Sequence, residues 1–305
     1  MKIISAANEL KTKGKKVCLA IGFFDGVHLG HQQILRQTIA DAHKHDSIAL
    51  ALTFDKHPNV IVAPDKAPPL IYSLPQKLRA IESLGIENTL LISFDKAFSQ
   101  QSGEEFIRCL ARDFQKIHSI CVGAEFVFGH KRSGDVALLK ELGTELNFQV
   151  HGLSALSLDG ETVSSTRIRQ AIRDGNFDDA SQMLGRPYAI SGTVVTGDKL
   201  GRRLGFPTAN LGVDGLVLPP NGVYAALTRC KGKLYRVALN IGVRPTVAAG
   251  PQLRVEAHLL DFKGDLYGTE LEIEMGEKLR DEKKFGSPEA LRERIGRDVE
   301  MVRKC

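Results

Sequence analysis

Two histidines, His28 and His31, stand three residues apart in the segment GFFDGVHLGHQQIL, between an apolar run and an amphipathic run. The first run is typical of a strand and the second of a helix, so the pair lies where a strand gives way to a helix. Glycines let the backbone approach a ligand, and a helix start attracts phosphate through its unpaired N–H groups and dipole. Imidazoles can donate to phosphate oxygens, and a nearby anion favours their protonated form. In isolation, however, such a pair is more often a set of surface or capping residues.

A second segment, VSSTRIRQAI, places hydroxyls and arginines at the start of another predicted helix. Alone it is equally well explained as an ordinary N-cap with a solvated basic turn. Together the two segments resemble the HIGH and KMSKS-like pair of the nucleotidylyltransferase superfamily. That resemblance implies in-line attack of an acceptor phosphate on the α-phosphorus of ATP, with no covalent intermediate. The residues assigned to ATP here are Gly22, Phe24, Asp25, Gly26, His57, Ser164, Ser165, Thr166 and Arg167, with His28 and His31 as the catalytic pair.

Two further segments follow predicted strands and should lie at the same edge of the sheet. TFDKHP brings His57 there, although this residue is as readily a loop histidine fixed by Pro58. CVGAEFVFGHKRSGD places Phe126 and Phe128 after another strand, where two aromatic rings can enclose a flat ligand. The more common outcome for aromatics two residues apart is a place in the core.

The second half contains SGTVVTGDKLGRRLGFPTANL, a glycine-rich segment unlike the P-loop pattern G-x-x-x-x-G-K-[ST], which is absent from the sequence. Its free backbone N–H groups and basic residues can form a cradle for an anion, although such glycines often mark only turns. Thr208 and Asn210 lie two apart on an extended chain, so their oxygens should face one way. Neutral oxygens combined with nucleotide phosphates suit Mg²⁺. The residues assigned to this nucleotide site are Gly197, Lys199, Gly201, Arg202, Gly205, Thr208 and Asn210, the last two also to the metal.

Glu256 lies in RVEAHLLDF, a predicted strand whose Val255 and Ala257 alternate with polar neighbours. On the polar face, this carboxylate is a candidate general base for a hydroxyl nucleophile. Periodicity alone favours a solvated charge row instead. Only a position close to Thr208 and Asn210 would make Glu256 catalytic.

The elements around these residues predict two different folds. Up to about residue 186, apolar strand-like runs alternate with helical periodicity, which predicts an α/β unit on a parallel sheet, with ligands at the carboxyl ends of its strands. After it, runs that alternate in twos between Gly, Pro and Asn predict a small antiparallel barrel. SPEALRERIGRDVEMVRK then predicts a terminal helix, capped by Ser287 with Pro288 in its first turn. We therefore expect domains at 1–186 and 187–305.

Composition limits the classes of function. With 43% hydrophobic and 25% charged residues in 305, the chain is typical of a globular protein of two domains. No apolar run reaches the roughly 18 residues of a membrane span, and the start lacks a secretion signal, so we expect a cytoplasmic protein that binds no membrane. The net charge of +5 is too dispersed to indicate nucleic acid. Five scattered cysteines indicate reduced thiols.

The ordered motifs GFFDGVHLGH, VSSTRIR, GRRLGFPTAN, NGVYAA, NIGVRPT, VEAHLLDF and LRDEKKF resemble the bifunctional riboflavin kinase/FMN adenylyltransferase family of bacteria. The resemblance implies a Rossmann-like nucleotidylyltransferase domain and a kinase barrel that convert riboflavin to FMN and FMN to FAD, with ATP as co-substrate and Mg²⁺. It implies that His28 and His31 contact ATP phosphates, and that Glu256 takes the proton from the ribityl hydroxyl. It also places the flavin near residues of both halves, here Glu125, Phe126, Phe128, Arg280 and Phe285.

The sequence departs from the family at two positions of the first half. Lys56 replaces a proline, which predicts a less rigid loop, and Glu125 replaces Asp or Asn. Three alternatives remain open: a chain with one live activity, a nucleic-acid-linked nucleotidylyltransferase, and a flavin carrier without chemistry. The sequence does not determine the oligomeric state.

Overall fold

The structure is a computed structural model that describes residues 1–197, 200–244 and 252–305, except the side chains of Arg244 and Gln252. The chain forms two compact units, one of residues 1–70 and 74–165 and the other of residues 71–73 and 166–305. Among the described residues, no helix has the length and apolar character needed to cross a membrane.

The first unit contains a six-stranded parallel sheet in the order β1-β4-β3-β2-β5-β6. Its strands are β1 (Lys2–Ile4), β2 (Val17–Ile21), β3 (Ile48–Phe54), β4 (Asn88–Ile92), β5 (Ile117–Gly123) and β6 (Gln149–Leu153). Its helices are α1 (Leu29–Lys44), α2 (Asn59–Val62), α3 (Leu74–Glu82), α4 (Gly103–Phe114) and α5 (Val136–Leu146), followed by a hairpin of β7 (Ser157–Leu158) and β8 (Glu161–Thr162).

Strand β2 lies at the centre of this sheet, and the segment VCLAI is at most 1% exposed at every residue. A strand covered on both faces has no polar side to alternate, which explains the continuous apolar run. The strand order reverses at β2, because β3 and β4 lie on one side of it and β5 and β6 on the other. In open α/β sheets, ligands bind beyond the carboxyl ends of the strands at such a reversal. His28 and His31 follow β2, and Phe126 and Phe128 follow β5.

The second unit contains a closed antiparallel barrel in the order β10-β13-β12-β11-β14-β9. Its strands are β9 (Ala189–Val195), β10 (Ala209–Gly212), β11 (Gly222–Cys230), β12 (Lys233–Arg244), β13 (Gln252–Leu259) and β14 (Glu270–Arg280). The remaining helices are α6 (Ser165–Asp174), α7 (Phe177–Leu184), α8 (Leu200–Arg203) and α9 (Pro288–Lys304).

The fold class predicted from the sequence is confirmed: a parallel sheet with helices precedes an antiparallel barrel and a terminal helix. The cap of α9 is also confirmed, because the hydroxyl of Ser287 accepts from the N–H of Ala290 at 3.2 Å. Sequence periodicity missed β1, α2, the β7–β8 hairpin, α7 and α8, and at β10 it indicated an extended chain but not a strand. The domain boundary near residue 186 stays a prediction.

Candidate active sites

The first candidate site begins at the start of α1, where two imidazoles stack. His28 is the N-cap of the helix, and its Nδ1 accepts from the N–H of His31 at 3.4 Å. The two ring centroids lie 3.6 Å apart with planes inclined by 21°. The edge of Phe24 packs against His31 with a centroid distance of 5.4 Å. The capping interpretation of His28 is therefore correct, and the cap orients the His28 ring on which His31 stacks.

The turn that leads into α1 has a strained backbone. Phe24, Gly26 and Val27 all have positive φ values, of 55°, 72° and 42°, and a β-branched residue in this region is a rare outlier. Gly22 is required on steric grounds, because an added Cβ would lie 2.7 Å from the Phe24 ring. Such conformations persist only where the surroundings hold them, and they cluster at functional sites.

The second segment predicted to bind phosphate meets this turn. The hydroxyl of Ser165, at the start of α6, donates to the backbone carbonyl of Asp25 at 3.2 Å. Thr166 is exposed and Arg167 half-buried in the same helical turn, and Ser164 is half-buried just before it. The expected convergence of the serine-rich segment on the glycine–histidine segment is thus present at Ser165.

Burial changes the protonation of His31. It lowers the pKa of this imidazole well below its ordinary value of 6.5, and the neighbouring His28 and Lys77 lower it further, against a backbone hydrogen bond with Asp25. Nδ1 of His31 is buried and has no hydrogen-bond partner among the described residues. Burial therefore favours the neutral form of His31. The expectation that a nearby phosphate favours the protonated form stays a prediction. A neutral imidazole still supplies one N–H donor and one acceptor.

His57 and the two phenylalanines occupy different surroundings. His57 packs edge-on against Phe23 at a centroid distance of 4.9 Å, which places it beside the turn before α1. Phe126 and Phe128 stack on each other at 5.1 Å and are half-buried against the core of the sheet. Glu125 is exposed. Contact of these three last residues with a flavin stays a prediction.

The second candidate site lies on the barrel, where strand register brings polar residues into a row. In the β10–β13 pairing Asn210 is directly opposite Glu256, and in the β12–β13 pairing Asn240 is directly opposite Glu256. Their neighbours Ala209 and Ala257 are also opposite each other and buried in the barrel. Directly opposed residues have Cβ atoms about 4.5–5.5 Å apart. Glu256 thus lies beside Asn210, as the catalytic interpretation requires.

The glycine-rich segment packs closely on the same residues. A Cβ added at Gly197 would collide with the amide of Asn210, and one at Gly201 would lie 3.1 Å from the hydroxyl of Thr208. Gly205 has a φ of 91°, which glycine adopts without strain. Arg202 and Thr208 line a small cavity of about 80 Å³. Lys199, assigned to the same site, lies outside the described residues, as do Pro245 and Thr246 of the NIGVRPT motif and residues 247–251 after it.

A larger cavity of about 510 Å³ lies between the end of β14 and α9, and both Arg280 and Phe285 line it. The guanidinium of Arg280 is 5.8 Å from the centroid of the Phe285 ring. Its Nε and Nη2 donate to the buried carboxylate of Asp298 at 3.0 and 2.7 Å. Arg280 therefore supports the wall of the cavity, and a role in flavin binding stays a prediction.

Comparisons with known proteins assign the two units to one family. Residues 10–167 match the family model described as FAD synthetase, and residues 184–305 match the model described as riboflavin kinase. The whole chain is 38% identical to the bifunctional riboflavin kinase/FMN adenylyltransferase of Escherichia coli strain K12, and covers 97% of that protein. The chain belongs to this family.

Further relatives match the chain over nearly its full length. The enzyme of the same description from Pseudomonas fluorescens is 35% identical over 99% of this chain and 97% of its own. A solved structure titled as a macrolide-efflux protein from Streptococcus pneumoniae superposes with a TM-score of 0.81 at 29% identity, covering 99% of this chain and 98% of that one. The family resemblance identified from the sequence motifs is confirmed.

Sequence reasoning missed two residues that the structure places at these sites. Asn240 joins the Asn210–Glu256 row only through strand register, which has no local signal. Lys77 is buried on α3 beside the turn that carries the histidines. The sequence does indicate that Lys77 is buried. It precedes Ala80 and Ile81 by three and four residues and so lies on the apolar face of its helix.

Proposed function

We propose that the chain uses ATP in two reactions at separate sites. The barrel transfers the γ-phosphoryl group of ATP to the terminal hydroxyl of riboflavin and forms FMN. The parallel-sheet unit transfers AMP from a second ATP to FMN and forms FAD and pyrophosphate. The register that sets Glu256 beside Asn210 is the observation that best supports the assignment of residues, because it unites a carboxylate with the oxygens proposed to hold the nucleotide. The substrates are the small molecules riboflavin, FMN and ATP.

In the kinase reaction, Glu256 accepts the proton of the attacking ribityl hydroxyl. The side-chain oxygens of Thr208 and Asn210 suit Mg²⁺ when nucleotide phosphates supply its other ligands. Glycine at positions 197 and 201 lets the backbone pack directly against these two side chains. When bound there, the ion would neutralise charge on the transferred phosphoryl group. Arg202 and the backbone N–H groups of the glycine-rich segment add positive potential for the remaining phosphates.

In the adenylyl transfer, the protein positions two phosphate groups and stabilises the leaving pyrophosphate. His28 and His31 contact the phosphates at the start of α1, where the helix dipole also favours negative charge. Ser164, Ser165, Thr166 and Arg167 contribute hydroxyl and guanidinium donors from the start of α6. A bound triphosphate would favour the protonated form of His31 and so oppose the effect of burial.

The boundary between the functional halves lies near residue 186 in this proposal. The FAD synthetase model ends at residue 167 and the riboflavin kinase model begins at residue 184. The intervening residues contain most of α6 and most of α7. We further propose that the protein acts in the cytoplasm and requires no nucleic acid or membrane.

The test is incubation of the purified chain with ATP and Mg²⁺ plus either riboflavin or FMN, with the flavins separated by chromatography. We expect FMN and then FAD from riboflavin, and FAD directly from FMN. Failure to form FMN from riboflavin would refute the kinase assignment, and failure to form FAD from FMN would refute the transferase assignment. Binding of flavin with neither product would identify a carrier instead.

A further inference from the structure

A buried lysine underlies the turn that carries the two histidines. Lys77, on α3, is 3% exposed. Its ammonium group donates to the carbonyl of Phe23 at 3.1 Å, to the hydroxyl of Thr53 at 3.2 Å and to the carbonyl of Phe54 at 2.8 Å. All three acceptors are neutral oxygens, so none of these hydrogen bonds is also an ion pair. Neutral acceptors compensate only part of the cost of burying the charge.

These acceptors join two strand ends. Phe23 follows β2, whereas Thr53 and Phe54 end β3. The hydroxyl of Thr53 also donates to the carbonyl of Phe23 at 3.0 Å, so lysine, threonine and carbonyl form a closed triangle. The lysine therefore holds the segment after β2 against the end of β3.

The strained turn begins at this point. Phe24, the next residue after the Lys77 acceptor Phe23, has a φ of 55°, and its ring packs on His31. The ammonium also lies 4.3 Å from the centroid of the Phe23 ring, whose other neighbour is His57. One side chain thus contacts the backbone that orients His31 and the ring that supports His57.

We infer that Lys77 is a positioning residue for adenylyl transfer, which fixes the turn bearing His28 and His31 by tying together the ends of β2 and β3. This inference rests on the proposed transferase function. Lys77 acts through that turn and through its charge, and it is not assigned to contact with the substrate. A displacement of about 1 Å at a reacting group can cost on the order of 100-fold in rate, so loss of such a tie is measurable.

The charged groups around Lys77 determine the pH dependence. Burial lowers the pKa of Lys77 from 10.5 to about 8, while the carboxylates of Asp25, before α1, and Asp55, after β3, oppose that effect. On α1, His31 faces the same charge, which lowers its own pKa. The neutral amine has two N–H groups for three acceptors, so the tie weakens as the pH rises through about 8.

Stability changes in the opposite direction. Because the folded pKa lies below the unfolded pKa, the unfolded chain binds more protons between pH of about 8 and 10.5, and deprotonation of Lys77 raises the free energy of unfolding. If Lys77 had only a structural role, transferase activity would not fall in a pH range where the free energy of unfolding rises. The combination of falling transferase activity and unweakened stability is therefore specific to a positioning role.

The experiment compares Lys77→Met and Lys77→Arg with Lys140→Met, an exposed lysine on α5 that serves as the matched control. We measure FAD formation from FMN and ATP, FMN formation from riboflavin, and thermal unfolding, each across pH. Lys77→Met should lower the transferase kcat by about 10- to 100-fold and leave the kinase rate unchanged. Lys140→Met should leave the rates of both reactions unchanged. Lys77→Arg should recover part of the rate and move the alkaline loss of activity above pH 8.

Several outcomes would overturn the inference. It fails if Lys77→Met transfers AMP at the wild-type rate, or if both reactions fall equally with the melting temperature. If Lys77→Met does not fold, the decision rests on the wild type and Lys77→Arg: identical pH profiles for their transferase reactions would then refute it. A wild-type chain that forms no FAD from FMN would instead refute the proposed function itself.

Discussion

Burial of His31 makes the free energy of unfolding depend on pH. Its imidazole stacks on His28 and under the edge of Phe24, and this burial favours the neutral form. The same packing that fixes the ring, which is proposed to bind phosphate, therefore makes its protonation unfavourable. Glu256 differs, because it lies half-buried on a strand face, in a row with Asn210 and Asn240.

The lowered pKa of His31 predicts that acid destabilises the first unit. Below the ordinary value of 6.5, the unfolded chain takes up a proton at this residue before the folded chain does, so the free energy of unfolding falls with falling pH. His31→Gln should remove part of that slope between pH 6.5 and the folded pKa. Denaturant unfolding at several pH values measures it, and an unchanged slope would contradict the buried, neutral state of His31.

Among the residues of the sites, those next to one another in sequence could be predicted and those joined by tertiary packing could not. His28, His31 and Ser165 lie at helix starts, and a helix start has a local signature. Lys77 has its partners 23 to 54 residues away in the chain. No sequence pattern predicts which carbonyl groups accept hydrogen bonds from a buried ammonium group.

At the scale of elements, the terminal helix α9 is tied to the barrel by an ion pair. Asp298 of α9 is 3% exposed and accepts from Arg280 at the end of β14, while Arg294 lies within 3.0 Å of the same carboxylate. Removal of one partner from a buried pair leaves an uncompensated charge. The cavity lined by Arg280 and Phe285 depends on this contact for its wall.

Asp298→Ala should therefore lower the free energy of unfolding by about 3–5 kcal/mol, as is typical when a buried pair loses one partner. The matched control is Glu293→Ala on the same helix, whose pair with Arg297 is about two-thirds exposed on both side chains. That control should cost at most about 1 kcal/mol. Denaturant unfolding compares the two, and equal losses would contradict the structural role of Asp298.

The elements themselves were largely predictable, because periodicity in the sequence reflects burial. The alternation of Val255, Glu256 and Ala257 indicated a half-buried strand, and the structure has β13 there. Strand β10 escaped detection because its four residues are too short for a periodic signal. The register that pairs Asn210 with Glu256 depends on closure of the barrel, a nonlocal property.

At the scale of the whole molecule, two unrelated architectures share one chain, and each has its own candidate site. The change from helical periodicity to alternation in twos predicts that the chain has two different folds, and the two family models match separate parts of it, residues 10–167 and 184–305. Because the proposed sites use different residues on different folds, a substitution at one should leave the other working. Independence of the two reactions is thus a consequence of the architecture and can be measured in a single chain.

The most direct measurement compares His31→Gln and Glu256→Gln with the wild type in both reactions, by chromatography of the flavins. His31→Gln should lower FAD formation from FMN and Glu256→Gln should lower FMN formation from riboflavin, each by about 10²- to 10⁴-fold, the range for a lost acid–base or charge-stabilising group. Each variant should retain the other reaction at the wild-type rate. Equal damage to both reactions by either variant, or full activity of Glu256→Gln as a kinase, would contradict the account of two separate ATP sites.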